Sequence, residues 1–403
     1  MKIGLFSDFY KPTVGGTETA IDQYYDQLTL LGHNVTIVAP YSPLISAYEP
    51  HVVRLPSMHL PEATGAHRLV LPKGSNRRLL DGHSFDIIHS HTEFGLGILA
   101  HQLSRERKMP HVHTAHTLLP EVIGNAPAYA LVAIAIAKAL YPALLGSTRK
   151  QQRLDEPSWI KRQAWSAMLN FYNTCDAIIT PSQHLQEKLT RFHLVPPSYI
   201  HPNAVDIKNL TTPRKLPDDL KLEPSSFRMV CVGRISPEKR QSEVIRAFGM
   251  QASQDAQLLI VGDGPSTKAC KELAATMPNA KRIIFTGTRS HEQVSAILQH
   301  SDAFVLASYR FDNQPIVVLE AISQGLPVLY CDPDLREGLS EENAILAAPD
   351  AAGLARGLTA LIENPSLRKK LGRGSLKLSQ AFDYKASGQA LTEIYEKTAA
   401  SRR

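Results

Sequence analysis

The sequence predicts an α/β protein of two doubly wound units, and three observations lead there. Short apolar runs alternate with amphipathic helical stretches from end to end, the pattern of parallel strands joined by crossover helices. The alternation pauses once, between about residues 202 and 226, where Pro202, Pro213, Pro217 and Pro224 stand among polar residues, and then restarts. The 403 residues exceed what one ordinary core organises. The predicted units are 1–205 and 206–384, and the last helix, about 385–403, is a candidate to pack back on the first unit.

Taken in order, residues 2–7 form the first expected strand, and a helix over 17–31 ends at Gly32, a C-cap signal. Residues 35–39, 51–55, 85–89, 110–114 and 177–180 are the further strands of the first unit. After the proline-rich pause come 227–232, 257–261, 282–286, 303–307 and 327–330. Their near-continuous apolar character fits parallel strands covered on both faces. Ligands in such sheets bind beyond the carboxyl ends of the strands. Two such edges facing each other would enclose a deep cleft.

Composition narrows the function classes. The net charge of +6 is spread over both halves, and aromatic residues make up 7%. That suits phosphate-bearing ligands or an anionic membrane surface, and no nucleic-acid partner is expected. Cys175, Cys231, Cys270 and Cys331 are far apart and read as reduced structural thiols of a cytoplasmic protein. The opening MKIGLFSDFY reads as a strand rather than a signal peptide, because Asp8 follows a short apolar run. Residues 126–146 are alanine-rich, carry Lys138 and are broken by Pro142, so a buried or interfacial helix is expected there and not a membrane span.

Several loops carry residues suited to a phosphate-bearing ligand. Gly15 and Gly16 permit a tight turn after the first strand, and Thr17 can cap the helix and leave its amides to an anionic oxygen. A plain strand-to-helix turn explains paired glycines equally well. Gly233-Arg234 leaves the first strand of the second unit, and Lys239 follows at the next helix start. Cations there oppose the helix dipole, which makes sense when a dianion lies between them. Arg234 offers a planar fork and Lys239 a point charge, a pair suited to a diphosphate.

In FDNQPIVVLEAISQGLPV (311–328), Pro315 is expected at the first helical position with Gln314 as N-cap. The amides of Ile316 and Val317 then point out of the helix start. Asp312 precedes the helix, Glu320 lies within it, and two carboxylates so spaced can accept hydroxyls from two sugars of one extended ligand. Gly262-Asp263-Gly264 and the Thr286–Thr288 turn follow other strands and allow close approach of a nucleotide, although the first lacks a third glycine. His116 ends a strand and suits a sugar hydroxyl or acid–base work, whereas His113 reads as structural. With His89, His91 and His111 the region is rich in histidine, but no pair has helical spacing with a carboxylate, so no metal is expected. Asp332-Pro333-Asp334 resembles an Asp-x-Asp cation motif and reads as a turn.

Gly15-Gly16, Gly233-Arg234 with Lys239, Gly262-Asp263-Gly264, and Asp312 to Glu320 followed by Ala321 and Gly325-Leu326-Pro327 together resemble the retaining glycosyltransferases of family four. The resemblance runs over nearly the whole chain. It implies the GT-B fold, two facing Rossmann-like domains with an interdomain cleft. It also implies transfer of a hexose from a nucleoside-diphosphate sugar to a hydroxyl acceptor, with retention and no cofactor. Arg234, Lys239 and the Ile316 and Val317 amides would serve the leaving diphosphate, Asp312 the donor sugar, Glu320 the ribose, and His116 the sugar or the acceptor. Gly15, Gly16, Gly233, Gly264, Thr286, Thr288, Asn313 and Gln314 complete the donor-site set.

Asp312 stands where the family usually has Glu, and Asn313-Gln314-Pro315 replaces a glycine-bearing loop, which keeps a non-catalytic sugar-nucleotide binder as an alternative. Within the family, residues 86–97 and 111–121 resemble bacterial diacylglycerol glucosyltransferases, membrane-face enzymes with a lipid acceptor. That resemblance implies UDP-glucose as donor, while the sequence itself leaves the base, UDP or GDP, and the sugar open. Residues 126–146 with Arg149, Lys150, Arg153, Lys161 and Arg162 are the candidate peripheral membrane contact, on the cytoplasmic face. A soluble, wall or capsular glycan acceptor stays open.

Overall fold

The computed structural model describes residues 1–13, 15–45, 48–59, 68–116, 141, 144–145, 154–220, 222, 227–251 and 255–402. Val14, most of 126–146, and Arg149, Lys150 and Arg153 lie outside the described residues. The chain divides into two compact units: Met1–Asn203 with Tyr384–Arg403, and Ala204–Asp383.

The first unit runs β1 (Lys2–Phe6), α1 (Gly16–Leu30), β2 (Asn34–Pro40), β3 (Val52–Leu55), a short antiparallel pair β4 (Met58–His59) and β5 (Arg68–Leu69), α2 (Gly74–Arg78), β6 (Ile87–Ser90), α3 (Gly95–Arg107), β7 (His111–Thr114), α4 (Trp159–Tyr172), β8 (Ala177–Thr180), α5 (Gln183–Arg191) and β9 (Ser198–Ile200). Among the described residues its main sheet is seven-stranded and parallel, in the order β3-β2-β1-β6-β7-β8-β9. β1 is an interior strand, with Ile3 opposite Val35 on one side and Ile87 on the other. Ile3, Ile37, Ile87, Ile88, Ile178 and Ile179 are fully buried. Each such side chain contributes about 1.5–3 kcal/mol on burial, which is why these strands read as unbroken apolar runs.

The second unit runs α6 (Ile207–Leu210), β10 (Phe227–Val232), α7 (Gln241–Gly249), β11 (Ala256–Val261), α8 (Thr267–Ala275), β12 (Ile283–Gly287), α9 (His291–Gln299), β13 (Ala303–Leu306), α10 (Ile316–Ser323), β14 (Val328–Tyr330), β15 (Ala344–Leu346), α11 (Ala351–Glu363) and α12 (Pro365–Ser379). Its described strands pair in parallel in the order β12-β11-β10-β13-β14-β15. Phe227, Met229, Leu258, Ile260, Phe248 and Val305 belong to one buried core on this sheet. The order reverses between β10 and β13, so the crevice beyond their carboxyl ends is the topological switch point.

The last helix, α13 (Tyr384–Ser401), belongs to the first unit. Tyr395 is fully buried and bonds His89 Nδ1 through its hydroxyl at 2.7 Å. The Arg402 guanidinium reaches Asp176 at 2.6 Å and the Met109 carbonyl. Local chemistry sets other helix ends. Ser290 and Gln293 form a capping box at α9, Asp350 caps α11, and Asp206 caps the short α6 inside the proline-rich stretch. Tyr141 and Leu145, the buried described residues of 126–146, lie in the first unit's core, with the Tyr141 hydroxyl on the Glu93 carbonyl at 2.8 Å. No described helix is long and apolar enough to cross a membrane.

Candidate functional site

The switch point of the second unit gathers the strongest set of predicted residues. Gly233 leaves β10 at φ 146°, a conformation that suits glycine, and its N–H bonds the Val261 carbonyl at 3.0 Å. Arg234 follows. It is exposed, its backbone carbonyl is held by Gln241 Nε2 at 2.9 Å, and its guanidinium has no partner among the described residues. Lys239 ends a short 3-10 turn, Pro237–Lys239, and Arg240 then turns left-handed (φ 56°) before α7. Lys239 therefore stands one residue before the helix cap and not at the helix start. Its ammonium crosses from β10 to the loop after β13 and meets Asp312 Oδ1 at 2.5 Å.

Asp312 is bonded through both carboxylate oxygens. Its second carboxylate oxygen accepts from the Ser308 hydroxyl. Arg310, at φ 53°, is steadied by the buried Asp332 carboxylate, which accepts its N–H at 2.6 Å and that of Asp334 at 3.1 Å. Asp332 thus shapes a turn, as the sequence suggested. α10 begins one residue later than predicted: Pro315 is its N-cap, with φ −75° and ψ 112°, and Gln314 is not. The first-turn bond runs from the Val318 N–H to the Pro315 carbonyl at 3.0 Å. Among the described residues the amides of Ile316 and Val317 have no acceptor. These two donors stand at the positive end of α10, just past the loop in which Lys239 reaches Asp312. Asn313 and Gln314 are both buried in the loop.

Two further strand ends extend the site. A Cβ on Gly262 would stand 2.1 Å from the Gly233 carbonyl oxygen, and one on Gly264 would stand 2.3 Å from that of Ile235. The loops after β10 and β11 therefore touch backbone to backbone. Gly264 does not offer its amide to a ligand, because that N–H is taken by Asp263 Oδ1 at 2.7 Å and Thr267 Oγ1 at 2.9 Å. The Thr286 hydroxyl bonds the Gly287 carbonyl at 3.0 Å, and Thr288 is exposed beyond it. Glu320, buried to 9% exposure in α10, comes 3.6 Å from Nδ1 of His291, the first residue of α9.

In the first unit Gly15 is the N-cap of α1, and no side chain caps the helix, so Thr17 does not do so. The carboxylate of Glu18 folds over the turn, with Oε2 only 2.7 Å from where a Gly15 Cβ would be. A negative side chain already answers the helix dipole there, and Gly16 opens the helix beside it. His116 lies two residues past β7, with Nε2 2.8 Å from His91 Nδ1 and the rings stacked at 5.1 Å. Burial pushes His116 down to about 3, and His113 adds to the effect. Burial also holds His89, His91 and His111 well below the usual histidine range. His113 serves structure: Ser90 bonds both His111 Nε2 and His113 Nδ1 at 2.8 Å.

The model described as Glycosyltransferase Family 4 matches residues 14–209, and that described as Glycosyl transferases group 1 matches residues 214–377. The chain is a family-four glycosyltransferase. This transferase is 26% identical over 385 residues to the alpha-monoglucosyldiacylglycerol synthase of Streptococcus pneumoniae, covering 92% of this chain and 80% of that protein. It is 25% identical to the synthase of the same name from Acholeplasma laidlawii, covering 93% and 92%. Its α/β architecture is the GT-B fold. The sucrose-phosphate synthase of Thermosynechococcus elongatus superposes with a TM-score of 0.72 over 99% of each chain at 18% identity. Anabaena HepE, solved in complex with UDP, gives 0.70 at 17% identity over 98% of this chain and 100% of that one.

In this transferase the second unit brings Gly233, Arg234, Lys239, Asp312, Ile316 and Val317 around one switch point, with Glu320 on the same helix as the two amides. Gly15, Gly16 and His116 belong to the other unit. Sequence reasoning missed His291, Ser308 and Gln241. A signal for His291 was present, since the capping box at Ser290 and Gln293 marks the start of its helix. None existed for Ser308 or Gln241, whose partners depend on loop conformation.

Proposed function

We propose that this transferase moves a hexosyl group, with retention, from a nucleoside diphosphate to a lipid hydroxyl at a membrane surface. The observation that carries the donor half is that Arg234, the Lys239–Asp312 pair and the start of α10 all belong to loops at the switch point of the second sheet, with the Arg234 guanidinium and the Ile316 and Val317 amides lacking partners among the described residues. Arg234 and the Ile316 and Val317 amides would hold the diphosphate, and Lys239, steadied by Asp312, would add charge as the leaving group departs. This is electrostatic stabilisation by preorganised donors. Glu320, acceptor-only and partly desolvated, suits a pair of ribose hydroxyls, with His291 beside it. His116 contacts the sugar or the acceptor hydroxyl. The leaving phosphate then accepts the acceptor's proton on the same face, which retains the anomeric configuration.

The lipid half rests on the two relatives named as alpha-monoglucosyldiacylglycerol synthases. The test is incubation of the full chain with labelled UDP-glucose and vesicles containing diacylglycerol and an anionic phospholipid, followed by solvent extraction and anomer analysis. An extractable α-glucosyl lipid is the expected product. Label appearing only in water-soluble product, or a β-linked lipid, contradicts the reading.

A further inference from the structure

β6 and β7 lie side by side, with Ser90 opposite His113, and each delivers a histidine to the carboxyl edge of the first sheet. His91 directly follows β6, and its N–H bonds the Phe6 carbonyl at 2.8 Å. Its ring is packed against His89 at 4.1 Å and Tyr24 at 5.2 Å. The approach of His91 Nδ1 to His116 Nε2, at 2.8 Å, needs one proton between the two nitrogens.

Two neutral arrangements satisfy it, and they differ in what they leave buried. If His116 Nε2 donates, His91 accepts at Nδ1 and carries its own proton on Nε2. That nitrogen is buried without a hydrogen-bond partner among the described residues, so a donor would be stranded. If His91 Nδ1 donates, His91 Nε2 is only a bare lone pair, and orphaned acceptors are better tolerated than orphaned N–H groups. His116, accepting at Nε2, must then hold its proton on Nδ1.

We propose that His91 fixes His116 as the Nδ1–H tautomer, so that His116 meets the sugar or acceptor as a hydrogen-bond donor and not as a base. Neither ring nitrogen of His116 then keeps an open lone pair. His91 is a positioning residue, acting through His116, and the inference rests on the reading of His116 as a substrate contact.

The tautomer is read directly from long-range proton–nitrogen correlation spectra of the full chain labelled with 15N-histidine, with His116 assigned by its loss in His116→Gln. A protonated Nδ1 and an unprotonated Nε2 are expected; the opposite tautomer, or a doubly protonated ring, overturns the proposal. His91→Phe is expected to lower turnover about 10- to 10²-fold with donor KM nearly unchanged, the size of one lost oriented hydrogen bond. His91→Asn, whose amide N–H stands near the position of Nδ1–H, is expected to recover most of that loss. Unchanged turnover in His91→Phe overturns the proposal, and if that variant does not fold the wild-type spectrum still decides. Full turnover in His116→Ala removes the substrate-contact reading while the spectrum continues to report the tautomer.

Discussion

Arg234 and Lys239 carry the same charge but sit in different states. Arg234 is exposed and its guanidinium has no partner among the described residues, whereas Lys239 is bound to Asp312. Arg234→Ala should therefore cost turnover at least about 10²-fold, the scale of losing one preorganised donor to developing charge. Steady-state kinetics on the purified variant check it, and a loss below tenfold counts against the role. Glu320→Gln keeps the shape of the side chain but removes its charge, and should weaken donor affinity about tenfold, read by titration calorimetry. Glu320 was legible from the sequence, because its apolar neighbours pointed to a covered helix face. The pairing of Lys239 with Asp312 was not, since 73 residues separate them and only the strand order brings them together. The carboxylate predicted to reach the donor sugar is thus found serving a lysine and a serine of its own chain.

At the scale of elements, the site depends on how closely three loops approach one another. Gly264→Ala places a methyl 2.3 Å from the Ile235 carbonyl oxygen, a backbone atom that cannot step aside alone. The loops after β10 and β11 must part, carrying Arg234 with them. Stability should fall by about 1–3 kcal/mol in urea unfolding, with donor affinity falling in parallel. The long helices and most buried strands were legible from periodicity and apolar runs. β9 and β15 were not, because three residues on a sheet edge carry too little pattern. The start of α10 was misread by one residue, since Pro315 takes an extended ψ that makes it the cap. α13 is bound to its unit by Tyr395, and Tyr395→Phe should lower stability by about 1–2 kcal/mol by leaving His89 Nδ1 without its partner. An unchanged urea midpoint would argue that the hydroxyl is idle.

Over the whole molecule, charge balance makes the first unit sensitive to acid. His89, His91, His111, His116 and His201 are held below their ordinary value of 6.5 by burial, His116 to about 3 and His201 to about 4. They are neutral when folded and take up protons when unfolded. Between the two values the unfolded chain binds more protons, so stability falls as pH drops below about 6.5, by up to about 1.4 kcal/mol per pH unit for each ring. Asp8 acts in the other direction. Burial lifts it to about 6, so its contribution is present below 3.8 and is lost as pH rises through about 6. His33 and His101 are lowered by burial as well, so the imidazoles outweigh the one carboxyl, and a urea midpoint that falls between about pH 7.5 and pH 5 is expected. The two-unit plan was legible because the strand–helix rhythm stops and restarts around the prolines, while the dense histidine network was not, since it joins residues from three strands and the last helix.

The most direct measurement is the thermal stabilisation of the full chain by UDP-glucose, compared with that of an Arg234→Ala, Lys239→Ala double variant. A ligand at about one hundred times its Kd adds about 2.7 kcal/mol to the folded state. The wild type should show a saturable rise in Tm, mirrored by UDP and much weaker with UMP, and the double variant should show almost none. A double variant that folds and keeps the full rise would place the diphosphate elsewhere and contradict the account.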